Sequence, residues 1–334
     1  MHSPRLPAAA QRREPLPVLL LGATGTIGRA TAQALAARGH EVVCFVRSNS
    51  RTPLAEPRAG LTLRQGEVTP DSLARDGFRG EPFDALVSCM ASRTGAPHDA
   101  WAVDHQAQLH ALQAAQAAGV QHMVLLSALC VQKPPLAFQQ AKLAFESALV
   151  ASGLNYSIVR PTAFFKSLSG QVARVQAGKP YLLFGDGRLT ACKPISDADL
   201  ADYLAGCLTD PARHRRVLPV GGPGPALTPR EMGEGLFALL GRQPRFKQVP
   251  VALMDAVVGG LSLLGRVSPR LADKAELARI GRYYATESML VWDAQHGRYD
   301  ADATPSWGSD TLLGYQARLL RGEATLDRGE HAVF

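Results

Sequence analysis

Apolar runs of strand length alternate with segments of helical spacing along the first half of the chain. LPVLLLG (16–22), EVVCFVR (41–47), LTLRQGEV (61–68), FDALVSCMA (83–91), HMVLLSALCV (122–131) and Asn155–Arg160 read as strands. Helical patterns fill the gaps, one ending at Arg38, one across 99–118 and one from Leu136 to Ala151. Strands this apolar have both faces covered, as in a parallel sheet with helices on each side. The pattern predicts an α/β fold, a Rossmann-type doubly wound parallel sheet over 16–165.

Past Arg160 the strict alternation ends. KPISDADLADYLAGCL opens on a Ser-Asp cap signal, residues 217–220 form a strand, and LTPREMGEGLFALLGR places Thr228 as cap, Pro229 in the first turn and Gly241 at the exit. These predict a smaller, mainly helical C-terminal lobe over 166–330, with strand 217–220 returning to the main sheet. Residues 1–15, rich in Pro and Arg, read as a disordered tail. The most apolar stretch, Val249–Gly265, contains Asp255 and is 17 residues long, at the lower edge of a bilayer span. It reads either as a buried or substrate-covering helix or as a peripheral membrane contact.

A net charge of +7 suits an anionic ligand, but the basic residues are scattered and aromatics make up only 6%, which excludes a nucleic-acid surface. Cys44, Cys89, Cys130, Cys192 and Cys207 are odd in number and lack C-x-x-C spacing, as expected in a reducing cytoplasm. The nine histidines show no ligand spacing, so no metal site is expected.

Directly after the first strand comes Gly22-Ala23-Thr24-Gly25-Thr26-Ile27-Gly28, followed at once by a helix. Glycines in a strand-turn-helix context let a pyrophosphate approach the backbone and lie on the helix N-terminus. Gly22, Thr24, Gly25, Thr26, Ile27 and Gly28 are therefore candidate dinucleotide ligands. Arg47 and Ser48 end the second strand, where an acid would hold the ribose hydroxyls of NAD. Arg47 can instead pair with a 2′-phosphate, so the expected cofactor is NADPH, with Arg51 as a possible helper.

The G-x-x-G-x-x-G spacing resembles the extended and atypical short-chain dehydrogenase/reductases. That resemblance implies cofactor contacts for Glu67 and Val68, for Ser88 at the end of the fourth strand and for Ser127 at the end of the fifth. Members carry a Tyr-x-x-x-Lys pair on the next helix; here the frame reads Phe138-Gln139-Gln140-Ala141-Lys142. Lys142 keeps the position that holds the nicotinamide ribose, and it is the candidate catalytic residue. Phe138 has no exchangeable proton, so alcohol-ketone chemistry loses its acid-base group.

The segments GATGTIGRATAQALAARGHEVVCFVR, LLSALCVQKPPLAFQQAKLAFESAL and YSIVRPTAFFKSLSGQ resemble the 3,8-divinyl chlorophyllide 8-vinyl reductases, over roughly 16–330. The resemblance implies reduction of a vinyl group to ethyl, in which hydride and proton both go to carbon and no oxyanion forms. The substrate would be a tetrapyrrole bringing its own magnesium. Phe138, Phe164 and Phe165 are then candidates to stack on the macrocycle, and Lys166 or Arg93 to meet its propionate. Two alternatives stay open: a non-catalytic NADP(H)-binding regulator or assembly subunit, and a reductase of another conjugated alkene.

Overall fold

The computed structural model describes residues 15–48 and 59–325. The expectations for residues 1–14 and for Arg51 fall outside these. Seven parallel strands form the main sheet: β1 (Pro17–Leu21), β2 (Glu41–Val46), β3 (Leu61–Gln65), β4 (Ala85–Ser88), β5 (His122–Leu126), β6 (Asn155–Pro161) and, after the short β7 (Tyr181–Phe184), β8 (Arg216–Val220). Their order is β3-β2-β1-β4-β5-β6-β8. The strand order reverses between β1 and β4, and ligands of such sheets bind outside the strand ends at that switch point.

Alternation along each strand divides the interior into two layers. Val18 and Leu20 of β1 join Val42, Cys44, Val87, Val124 and Val159 on one face. Leu19 and Leu21 join Phe45, Leu86, Met123 and Ile158 on the other. The first face is covered by α1 (Thr26–Ala37), whose buried Ile27, Gly28, Thr31, Ala32 and Leu35 form one helical stripe. Later helices are α2 (Gln108–Ala117), α3 (Ala137–Ala151) and α4 (Asp197–Gly206). α4 contributes Leu200 and Leu204 to the α1 layer. The opposite face is covered by α2 and α3, through Ala111, Leu112, Phe145 and Leu149.

The C-terminal lobe contains α5 (Pro229–Leu239), β9 (Phe246–Val249), α6 (Val251–Leu264), α7 (Pro269–Thr286), the hairpin β10 (Val291–Asp293) and β11 (Arg298–Asp300), and α8 (Leu312–Leu320). β7 pairs with β9 apart from the main sheet. Thr228 caps α5 by accepting from the Glu231 amide, and Glu231 Oε2 accepts from the Thr228 amide at 2.7 Å, a reciprocal capping box. One apolar cluster joins the sheet layer to the later helices: Phe138 and Ala141 of α3 meet Ile280 and Tyr283 of α7 together with Phe165, Met232 and Leu312.

Far from the switch point, His122 begins β5 with only 7% of its surface exposed. Its Nε2 lies 3.1 Å from Ser157 Oγ, and the His214 ring is 4.6 Å away. Burial, helped by His214, pushes its pKa down from 6.5 to about 4. Between those values the unfolded chain takes a proton that the folded one refuses, so stability is full above pH 6.5 and falls toward pH 4. The expected loss from this one group is on the order of 3 kcal/mol. Chemical denaturation at pH 7 and pH 4.5 should show it, and His122→Gln should flatten the dependence; an unchanged slope in that variant removes His122 as its source.

Candidate functional site

The turn after β1 is shaped by three glycines with different jobs. Gly22 has φ +78°, and a Cβ there would lie 2.6 Å from the Cys89 carbonyl carbon, so only glycine brings the end of β1 against the end of β4. At Gly28 a Cβ would lie 2.0 Å from the Gly22 oxygen, which explains the close seat of α1 on the turn. Gly25 differs: the nearest atom to a Cβ is the Gly22 oxygen at 3.4 Å, and its φ of −74° is open to any residue. Its bareness leaves room for something outside the chain.

That room lies at the N-terminus of α1. No side chain caps this helix and its first turn holds no acid. The Arg29 amide donates to the Gly25 oxygen at 2.9 Å, so the amides of Thr26, Ile27 and Gly28 precede the first intrahelical bond. Open amides, the positive helix end and a missing Cβ fit the diphosphate of a dinucleotide. Thr24 is half-buried in the same turn.

Arg47 and Ser48 are exposed just past β2. Beyond β3, the Glu67 amide donates to Ser72 Oγ at 3.0 Å and His110 Nδ1 to the Val68 oxygen at 3.0 Å, which fixes the Gly66–Val68 turn. The hydroxyls of the two serines at the strand ends have partners within the protein. Ser88, 0% exposed, donates to Gln108 Oε1 at 2.9 Å. Ser127 donates to Glu146 of α3, which also accepts from Arg160.

Lys142 Nζ lies 2.9 Å from Asp104 Oδ1, with 11% of the Lys142 side chain exposed and none of Asp104. Asp104 sits in a wide π-helical segment, Trp101–Ala107, and also accepts from the Ser92 amide at 3.2 Å. Its second oxygen, Oδ2, is buried without a hydrogen-bond partner among the described residues. Sequence reasoning missed Asp104. The available signal was its place on the same helical stripe as the buried Ala100, Gln108 and Ala111, an acid where apolar residues belong.

Of the five residues expected at the substrate, Phe138 and Phe165 come together and the others lie apart from them. Phe138 and Phe165, 9% and 2% exposed, lie in the inter-lobe cluster, with the Phe165 ring 5.7 Å from that of Tyr315. Both pack the lobe junction, where the sequence suggested stacking on a flat ligand; their rings already have neighbours. Phe164 is half-buried against the opposite, α1 layer. Arg93 is exposed in the loop after β4. Lys166 reaches the phosphate turn, its Nζ 2.8 Å from Thr26 Oγ1. A phenol that sequence reasoning overlooked enters the junction from α7: Tyr283 donates to the Cys130 oxygen at 2.9 Å, which also accepts from Gln139 Nε2.

Between α6 and α7 runs an open groove of about 280 Å³ lined by Val249, Leu253, Met254, Val257, Ala278 and Gly281. No helix among the described residues is long and apolar enough to cross a membrane. No cluster of metal-ligating side chains occurs among them either.

The NAD(P)H-binding family matches residues 22–211, the span from the glycine turn through α4. A chloroplastic divinyl chlorophyllide a 8-vinyl-reductase of Oryza sativa subsp. indica is 49% identical over 95% of this chain and 82% of its own length. The Zea mays protein of the same name is 49% identical over 99% of this chain and 88% of its own. Among solved structures, one titled AtPrR2 with NADP+ and (+)pinoresinol aligns over 91% of this chain and 99% of its own, with a TM-score of 0.68 at 19% identity, a likeness of fold. With the dinucleotide turn in place and nearly half its residues shared along almost its full length, the chain belongs to the divinyl chlorophyllide a 8-vinyl-reductase family of NAD(P)H-binding proteins.

Proposed function

We propose that the protein reduces the 8-vinyl group of a divinyl chlorophyllide to ethyl, as a step of chlorophyll or bacteriochlorophyll synthesis. The observation that carries the reading is the α3 frame, which keeps Lys142 while a carbon ring, Phe138, stands where related enzymes hold a phenolic acid. Such a site orients a dinucleotide yet has no group in that position to protonate an oxyanion, which suits addition to a carbon-carbon double bond. NADPH, when bound, supplies the hydride. Gly25 and the open amides of α1 hold its diphosphate, Arg47 takes the 2′-phosphate, and Lys142, steadied by Asp104, orients the nicotinamide ribose. The substrate's magnesium stays with the substrate.

Incubation of the purified protein with NADPH and divinyl chlorophyllide tests the reading, through NADPH oxidation coupled to a blue shift of the Soret band. NADPH binding without that shift would favour a non-catalytic subunit. Turnover of other conjugated alkenes alone would point to another substrate.

Cofactor choice supplies a separate check. NADPH should bind about ten- to a hundredfold more tightly than NADH, the worth of one charge-assisted contact. Arg47→Asp should narrow or reverse that preference; equal affinities in the unmodified protein would remove Arg47 from the site.

A finer part of the proposal concerns α6. None of its residues is buried, and Leu253, Leu263 and Leu264 are each more than half exposed. Its one charge, Asp255, pairs with Arg282, and exposed cations flank both ends, Arg245 and Lys247 before it and Arg266 after it. An apolar helix with basic flanks suits the surface of an anionic membrane. Co-sedimentation with vesicles containing phosphatidylglycerol, lost in Leu263→Glu, would support this. The five cysteines are free thiols, which fits a reducing compartment such as the cytoplasm.

A further inference from the structure

Lys166, one of the residues expected at the substrate, reaches the glycine turn. The chain leaves β6 and enters the short helix Phe165–Leu168. Two backbone bonds pin this entry to the segment that leads into α4, from the Phe165 amide to the Ile195 oxygen at 3.2 Å and from the Ile195 amide to the Ala163 oxygen at 3.0 Å. Phe165, 2% exposed, anchors the short helix in the inter-lobe cluster. α4 itself packs on α1. The base of Lys166 is thereby held at a set place relative to α1, and the side chain spans the remaining gap to Thr26, the first residue of that helix, ending 2.8 Å from its hydroxyl.

An ammonium group at the positive end of a helix is a placement that an anion between the two stabilises. The open amides and the bare Gly25 describe the same spot from the other side. We infer that Lys166 is a cofactor residue: its amine closes over the diphosphate of NADPH from the side opposite the α1 amides, and it does not meet the propionate of the substrate. The inference rests on the reading of the turn as the NADPH site. Chemically it adds a charged, directional contact to a cradle otherwise built from backbone, and it ties cofactor binding to the C-terminal lobe through Phe165.

Calorimetric titration tests it. Lys166→Ala and Lys166→Met should each weaken NADPH by about ten- to a hundredfold, and Lys166→Arg by much less. 2′-Phospho-ADP-ribose, which carries the diphosphate, should lose affinity in parallel, whereas 2′-AMP, which lacks it, should bind every variant as it binds the unmodified protein. At saturating NADPH the KM for divinyl chlorophyllide should not change. Unchanged NADPH affinity with a raised pigment KM would overturn the inference in favour of the propionate. An equal loss for 2′-AMP would overturn it in favour of a general packing role. Failure of the unmodified protein to bind NADPH would overturn the functional reading itself, and this inference with it.

Discussion

Gly25→Val is expected to keep the melting temperature of the unmodified protein and to lose NADPH affinity by about a hundredfold or more, roughly 3 kcal/mol. The two halves of that expectation come from different atoms. A Cβ at Gly25 meets nothing closer than the Gly22 oxygen at 3.4 Å and needs no unusual backbone angle, so the fold accepts a side chain. The branched carbons would fill the space where a phosphate must approach the amides of α1. Gly28→Ala provides the contrast, since its Cβ would come 2.0 Å from the Gly22 oxygen and 2.7 Å from the carbonyl carbon. That variant should be destabilised by about 1–3 kcal/mol or more through backbone displacement. A folded Gly25→Val protein with unaltered affinity would take the turn out of the site.

Lys142→Ala should cost more than its cofactor contact. The substitution leaves the Asp104 carboxylate, 0% exposed, with only the Ser92 amide as a hydrogen-bond partner among the described residues. Breaking a buried ion pair from one side typically costs about 3–5 kcal/mol, which for a chain of this size lowers Tm by about 4–7 °C. Slow turnover in Lys142→Ala would therefore confound lost orientation with lost stability. Pairing Lys142→Met with Asp104→Leu removes both charges, and that double variant should recover most of the melting temperature while turnover stays low. If Lys142→Ala melts like the unmodified protein, the pair does not bear on the fold as described.

The parts of the molecule legible in sequence were those governed by local periodicity and by turn chemistry. Fully apolar strands announced the parallel sheet, and the Ser196 and Thr228 caps announced α4 and α5, because each signal lies within a few residues of its effect. The glycine turn was legible for the same reason. What escaped was set by contacts across long sequence separations. Asp104 finds Lys142 38 positions away, and Lys166 finds Thr26 across 140. Ser127 and Ser88 looked available because the Glu146 and Gln108 that occupy them lie on later helices. Residue type and motif frame thus located the site's neighbourhood, while the direction of each side chain depended on tertiary partners.

The covering of Phe138 by α7 bears on how such a site can change over time. Phe138 lies in a cluster with Ile280, Met232 and Leu312, so a hydroxyl added to its ring would have to be accommodated among apolar side chains. Burying an unpartnered hydroxyl typically costs about 1–3 kcal/mol in proteins. A phenol at position 138 would therefore cost stability unless the α3–α7 packing opened to give its hydroxyl a partner.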